Sequence, residues 1–232
     1  MSEFIVYGFP RSTFVNIVRL VLTHKEVPYT FHDLEPEMGK PSHLALHPFN
    51  RVPILQHGDF TVYETSAIVT YLDETFPNPS LQPKSARDRA RMNQWISAVN
   101  SYYYPYMIYH VSHERNVFPE MGIPSDEKVV AHALPRIEVG LTVAERALAH
   151  GNEYLLGSEL SLADFYVLPA PIHLASRRRP KPCTPSTRLS AAGGKEWKPC
   201  PRSRSCVPRC RCARRLSTPE NGLYHIGRNI KH

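Results

Sequence analysis

Cysteine is missing from the first 182 residues of this chain: all five (Cys183, Cys200, Cys206, Cys210 and Cys212) lie near the C-terminal end. That excludes a disulfide framework and a thiol nucleophile for the body of the protein. Long apolar runs are missing as well, and none approaches the roughly 18 residues that a membrane-spanning helix needs. The opening residues, Met1 to Pro10, carry no basic stretch, no long apolar segment and no small-residue cleavage site. No secretory signal is therefore read, and a cytoplasmic location is expected. Metal-ligand spacing is lacking among the 12 histidines; His110 and His113 stand three apart without a third partner, which reads as a solvated helix face, so no metal is expected.

What is present is a globular composition, 42% hydrophobic and 21% charged over 232 residues, enough for one large or two small domains with a buried core. The net charge of +7 misleads when taken whole. Residues 176–232 hold 15 Lys and Arg against only Glu196 and Glu220, whereas the preceding 175 residues are mildly acidic. A nucleic-acid-binding reading therefore rests on the tail alone, which has few aromatics, and nucleic acid is not the expected partner.

Along the chain, Phe4 to Tyr7 reads as a buried strand ended by Gly8 and Pro10. Ser12 or Thr13 caps a helix to about Lys25, with apolar residues at helical spacing. Val27 to His32 suits a second strand, and Leu34 to Ser42 a loop or short helix. Val52 to Gln56 and Phe60 to Tyr63 form a hairpin around His57-Gly58-Asp59. A helix runs from about Thr65 to Phe76 and is broken by Pro77-Asn78-Pro79-Ser80. This is a thioredoxin-like α/β domain over 1–80. An all-helical domain follows over 85–170: one helix from Ala86 to Tyr103 that Pro105 should kink or end, a second from Glu127 to Ala149 despite Pro135 and Gly140, and a third opened by Ser161. Residues 171–232 turn to Arg, Pro and Cys without apolar period and are expected to be irregular.

Three features carry chemistry. Pro53 opens a strand and cannot donate to its ladder; a cis Val52–Pro53 bond would turn the Val52 backbone toward an added peptide strand. Glu64 and Thr65 stand at a helix start, where free N–H groups suit a carboxylate and Glu64 an ammonium. Ser12 follows the first strand and opens the first helix, so its hydroxyl can donate to a sulfur anion. Taken singly these have bland readings, an edge-strand proline and two N-caps. Their order and spacing are restrictive.

That order, written as Tyr7-Gly8-Phe9-Pro10-Arg11-Ser12-Thr13, then His47-Pro48-Phe49-Asn50-Arg51-Val52-Pro53, then Glu64-Thr65-Ser66-Ala67-Ile68, resembles the cytosolic glutathione transferase superfamily, most closely its serine-type phi class and similar bacterial enzymes. Gly157 to Asp164 looks like the family's folding motif in the helical domain and is physically a capping box with Ser161 at the N-cap. The resemblance spans about residues 3–170. It implies that Ser12 donates to the glutathione thiolate, that Val52 pairs with the cysteinyl backbone beside cis Pro53, and that Glu64 and Thr65 hold the γ-glutamyl end. Arg51 stands where the family has a glutamine. The family's His-Lys pair for the glycyl carboxylate is replaced by Met38-Gly39-Lys40, which leaves Lys40 as the substitute and implies altered binding of that end.

Tyr7 is the rival to Ser12, since other classes use a tyrosine near the end of the first strand; Asn16 could support either. The run Tyr102-Tyr103-Tyr104-Pro105-Tyr106, with Tyr109 and His110, suits an electrophile pocket, and Tyr103, Tyr106 and His110 are the residues singled out. The resemblance implies a homodimer and glutathione as co-substrate with no further cofactor. The electrophile stays open among halogenated aromatics, epoxides and peroxides. The alternative is a non-catalytic binding or assembly module of the same fold. Cys200, Cys206, Cys210 and Cys212 lack paired zinc spacing. The abrupt change of character after Ala170 is what a shifted reading frame would produce; a family-like continuation in another frame of the coding DNA would support that origin, and an intact gene encoding this tail would reject it.

Overall fold

The computed structural model describes residues 3–176, with side chains as far as residue 173. The basic tail, with its expected irregularity, its zinc-site and nucleic-acid readings and its suggested frame shift, lies outside the described residues.

Strand β1 (Phe4–Gly8) alternates buried and half-buried residues, the period of a strand with one face on a core. It leads through a tight turn into helix α1 (Thr13–His24), whose Val15, Ile17, Val18, Val21 and Leu22 form the inward stripe. Strand β2 (Thr30–Asp33) pairs parallel to β1. A short 3₁₀ turn (Glu35–Glu37) and helix α2 (Pro41–Leu46) follow. Strands β3 (Ile54–His57) and β4 (Phe60–Tyr63) form the expected hairpin, and β3 pairs antiparallel to β1. The sheet order is β2-β1-β3-β4, and helix α3 (Thr65–Thr75) closes the unit. This mixed four-stranded sheet with helices is the thioredoxin-like fold that the sequence predicts.

Gly8 is required where β1 meets α1. A Cβ there would stand 2.4 Å from a methyl of Val15, which is fully buried. The absent side chain lets the strand end pass close under the helix, which places Ser12 at the helix start.

Helix α4 (Ala86–Ala98), capped by Ser85, opens the second unit. The sequence predicts a kink or stop at Pro105. The helix instead carries on through two wide-wound segments, Val99–Tyr103 and Pro105–Val117. There the amides reach back five residues: Tyr104 N–H bonds to Val99 O and Phe118 N–H to His113 O. A proline in an α-helix lacks its N–H and clashes with the carbonyl one turn back; the wider π winding gives the ring room, and the helix passes through with that one donor missing. Helix α5 (Phe118–Glu120) ends this run.

Helix α6 (Glu127–Ala147) is unbroken by Pro135 and Gly140. Gly140 is explained by packing, since the Tyr103 ring would lie 3.2 Å from an added Cβ and the Tyr103 hydroxyl donates to Gly140 O at 2.5 Å. Helices α7 (Leu162–Val167) and α8 (Pro169–Ser176) finish the described chain.

Two buried polar clusters tie the parts together. Asp164, buried in the first turn of α7, accepts from Leu155 N at 2.8 Å, Ser161 N at 2.9 Å and the Ser161 hydroxyl at 2.9 Å. Lys25, at the end of α1, reaches Asp73 of α3 at 2.5 Å with both side chains sealed from water. It also donates to the Phe76 and Pro79 carbonyls. Asp73 in turn accepts from Leu81 N at 2.8 Å, and Leu81 O accepts from Leu162 N at 3.0 Å. One continuous apolar core, from Val6 and Leu22 to Phe165 and Tyr166, runs through both units.

Replacing Lys25 by Met leaves the Asp73 carboxylate buried without its cation, and should cost about 3–5 kcal/mol. A thermal melt should fall by roughly 10 °C or more, and Lys25→Met combined with Asp73→Leu should recover part of the loss. An unchanged melt for the single variant would contradict the role given to this pair.

Candidate active site

A cleft of about 710 Å³ lies between the sheet unit and the helical unit. Its sheet side is built from three places in the sequence. The first is the start of α1. Ser12 is the N-cap and its Oγ accepts from Val15 N at a long 3.4 Å. Capping occupies a lone pair and leaves the hydroxyl proton available; among the described residues no acceptor takes it. N-cap and donor are therefore compatible roles for one side chain.

The second is the corner before β3. The Val52–Pro53 bond is cis, as the family resemblance implies. The sheet ladder starts at Ile54, so Val52 lies beyond it, and Asn50, Arg51, Val52 and Pro53 all line the cleft. His43, fully buried, pins this corner: its Nδ1 accepts from Gly39 N at 3.2 Å and its Nε2–H donates to Arg51 O at 2.9 Å. His47 packs against Tyr63 with ring centres 4.4 Å apart and tilted, and burial pushes its pKa below the usual histidine range.

The third is the start of α3. Glu64 holds φ 73°, a left-handed conformation that costs a residue with a Cβ about 1 kcal/mol or more. The turn swings the chain from β4 into α3, and Glu64, Thr65 and Ser66 all line the cleft. Two helix N-termini, with their unpaired amides and positive dipole ends, thus open on one space. Arg51 is an exposed cation on its wall.

The helical side is formed by Asn100, Tyr104, Ile108, Tyr109, His113, Val117 and His173, among others. Tyr104 packs on Phe14 at 4.3 Å and on Tyr109 at 5.1 Å. Its burial drives its pKa above the ordinary tyrosine range, so it stays a neutral donor. His173 meets Ser112 Oγ at 3.0 Å.

The guanidinium of Arg19 is engaged with Tyr29 and lies over Phe31, and Asn16 lies beside it; neither lines the cleft.

Comparison with known proteins agrees with this architecture. The model of the glutathione S-transferase N-terminal domain matches residues 6–80, and that of the C-terminal domain matches residues 95–186. Glutathione S-transferase F10 of Arabidopsis thaliana is 33% identical over 165 residues, which cover 67% of this chain and 75% of the relative. The chain belongs to the glutathione S-transferase family. A second relative, glutathione S-transferase 1 of Dianthus caryophyllus, is 31% identical over 168 residues, 71% of this chain and 74% of its own. Among solved structures, glutathione transferase F2 of Populus trichocarpa superposes with a TM-score of 0.68 at 28% identity, over 74% of this chain and 82% of its own. A glutathione S-transferase-I solved with the ligand lactoylglutathione also superposes with a TM-score of 0.68, at 26% identity, over 75% of this chain and 84% of its own.

Within the glutathione S-transferase frame, the residues expected from sequence separate clearly. Ser12, Arg51, Val52, Pro53, Glu64 and Thr65 come together on the cleft. Lys40 does not line it; Met38, two residues earlier, does. The expected electrophile residues are displaced. Tyr103 and Tyr106 line a second cavity of about 500 Å³ beside α6, Tyr106 with Arg136 over its ring at 5.4 Å, and His110 packs against Tyr106 outside the cleft. The cleft takes the neighbouring stripe, Asn100, Tyr104, Ile108 or Tyr109, His113 and Val117. Those steps of four and five residues match the wide winding of this segment. Tyr166 and His173 were also missed, because nothing local marks α7 or α8 as reaching the cleft.

Tyr7 points elsewhere. Its hydroxyl donates to Gln56 Oε1 at 2.6 Å, and burial, with the Glu37 carboxylate as a smaller cause, raises its pKa. Tyr7→Phe should therefore leave conjugation rates within about twofold, whereas a hundredfold loss in kcat would return Tyr7 to the mechanism.

Proposed function

We propose that the protein conjugates the thiolate of glutathione to electrophilic small molecules, as a serine-type member of its family. The observation that carries this reading is the convergence of two helix starts and the Val52–Pro53 corner on one cleft, with the Ser12 hydroxyl proton unclaimed. Glutathione lies extended along the corner, its cysteinyl backbone paired with Val52 in the manner of an added strand. Its γ-glutamyl carboxylate sits at the start of α3 over Thr65, with Glu64 facing the ammonium. Its glycyl end lies toward Arg51, since Lys40 stands outside the cleft.

Ser12 donates to the sulfur, and the α1 dipole adds to the effect. Together they stabilise the thiolate over the thiol, whose proton leaves to solvent. The thiolate forms a carbon–sulfur bond to the electrophile held against the helical side. For a substitution, the leaving group departs with the bonding electron pair; for an epoxide, the opened oxygen takes a proton. Lowering a thiol from about 8.5 to below neutrality takes roughly 2–3 kcal/mol, within reach of one charge-assisted hydrogen bond and a helix end. Glutathione is a co-substrate, and no other cofactor is invoked.

The same reading places the protein in the cytoplasm as a homodimer of two-domain subunits, with the units at 1–80 and 85–170. Among the described residues no helix is long and apolar enough to cross a membrane. Support for the dimer comes from Val139 and Val143 of α6, 65% and 46% exposed at the rim of the second cavity. Sedimentation of wild type should give twice the subunit mass, and Val139→Glu should shift it to monomer.

Ser12→Ala should raise the pKa of the bound thiol by about 1–2 units. The variant then carries less thiolate near pH 7, and kcat/KM falls roughly ten- to hundredfold there. The gap closes as pH rises past the shifted pKa, because both proteins then hold the thiolate. The pH profile with a chromogenic electrophile reads this directly; identical profiles would remove Ser12 from the chemistry.

A further inference from the structure

Tyr166 stands in α7, two residues after the capping aspartate, in the wall of the cleft. Its side chain is fully buried, and its hydroxyl has no hydrogen-bond partner among the described residues. Ser66 lies beside that hydroxyl without meeting hydrogen-bond geometry, and the Glu64 carboxylate is near enough to act on it through space. The oxygen therefore lies next to the first turn of α3, an 11-residue helix whose opening amides already face the cleft.

A buried hydroxyl without a partner is costly, and phenylalanine would fill the same space without that cost. Burial also lifts the Tyr166 pKa above the ordinary range, which keeps the proton in place for donation. What is missing is an acceptor. The ligand atom that belongs at a helix start is an anionic oxygen, and a charged acceptor makes the strongest use of a buried donor.

We propose that Tyr166 is a positioning residue for glutathione, its hydroxyl donating to the γ-glutamyl α-carboxylate at the start of α3. This rests on the glutathione reading above. The carboxylate then sits between two sources of donors: the amides and hydroxyls of Thr65 and Ser66 from the sheet unit, and Tyr166 from the helical unit. Binding of the γ-glutamyl end thereby grips both units, and the thiol is held at a fixed distance from Ser12.

The test is calorimetric titration of wild type and Tyr166→Phe with two probes. One is glutathione; the other is γ-aminobutyryl-cysteinyl-glycine, which lacks only the α-carboxylate. Tyr166→Phe should weaken glutathione binding about tenfold, as expected for loss of a hydrogen bond to a charged group. It should leave the analogue's affinity within about twofold of wild type, and the melt of the free variant should not fall, since no bond is lost in the free protein. Equal glutathione affinity in the two proteins, or equal loss for both probes, would overturn the proposal and leave the glutathione reading standing. Failure of wild type to bind glutathione at all would overturn both. Should Tyr166→Phe fold poorly, a crystal of wild type with glutathione decides: an Oη-to-carboxylate distance of about 2.7 Å is expected, and a separation beyond hydrogen-bond reach overturns it.

Discussion

The fold turns on one buried ion pair. Lys25 ends α1 and Asp73 lies near the end of α3, and their contact locks the C-terminal ends of the two helices whose N-terminal ends form the cleft. Because both helices are rigid, holding them at one end sets the separation of their starts at the other. The same carboxylate receives the Leu81 amide, and Leu81 passes the link to Leu162 and so to the capped helix α7. An ion pair this deep in the protein is costly to dehydrate and is offset only when its remaining donors and acceptors are satisfied. Here they are: the Phe76 and Pro79 carbonyls take the other lysine protons, and Gln82 meets the second aspartate oxygen at 3.2 Å.

From that frame the site follows with few special residues. Gly8 allows β1 to pass under α1 and delivers Ser12 to the cleft. His43 clips the Gly39 loop to the corner at Arg51. Glu64 accepts a left-handed backbone so that α3 starts where a ligand can reach it. In the proposed chemistry the serine hydroxyl is a weak group, and its effect depends on placement beside a helix start rather than on an unusual side chain. The opposite wall supplies aromatic hydroxyls and imidazoles, with Tyr104 kept a neutral donor by burial and His173 bonded to Ser112, a surface suited to an apolar electrophile bearing a polar atom.

Much of this was legible in the residues. The apolar strand ended by Gly8 and Pro10, the hairpin around Gly58, the helix at Thr65 and the capping box at Ser161 each rest on local chemistry, and local chemistry is written in neighbouring letters. The sheet side of the cleft was legible for the same reason, since its parts lie at the ends of strands and helices. Boundaries shifted by a few residues: β2 starts at Thr30 rather than Val27, and β3 at Ile54 rather than Val52. On the helical side the tyrosine run was legible, since its Tyr104 and Tyr109 line the cleft, but which of its members face inward was not. Singling out Tyr103, Tyr106 and His110 missed the cleft because the wide winding from Val99 to Val117 sets which members face inward.

The sequence alone determined the order of most strands and helices, their ends to within a few residues, and that a serine, a Val-Pro corner and a glutamate lie at those ends. These are short-range consequences of propensity, capping and the missing N–H of proline. Only the tertiary structure decided which residues share the cleft. It drew Tyr104, Tyr109 and His113 in, left Lys40 and Tyr103 out, and brought the unsatisfied hydroxyl of Tyr166 up beside a helix start about a hundred residues away in the chain. Such choices depend on the helix winding and on contacts between distant segments, and neither is encoded in the spacing of neighbouring residues.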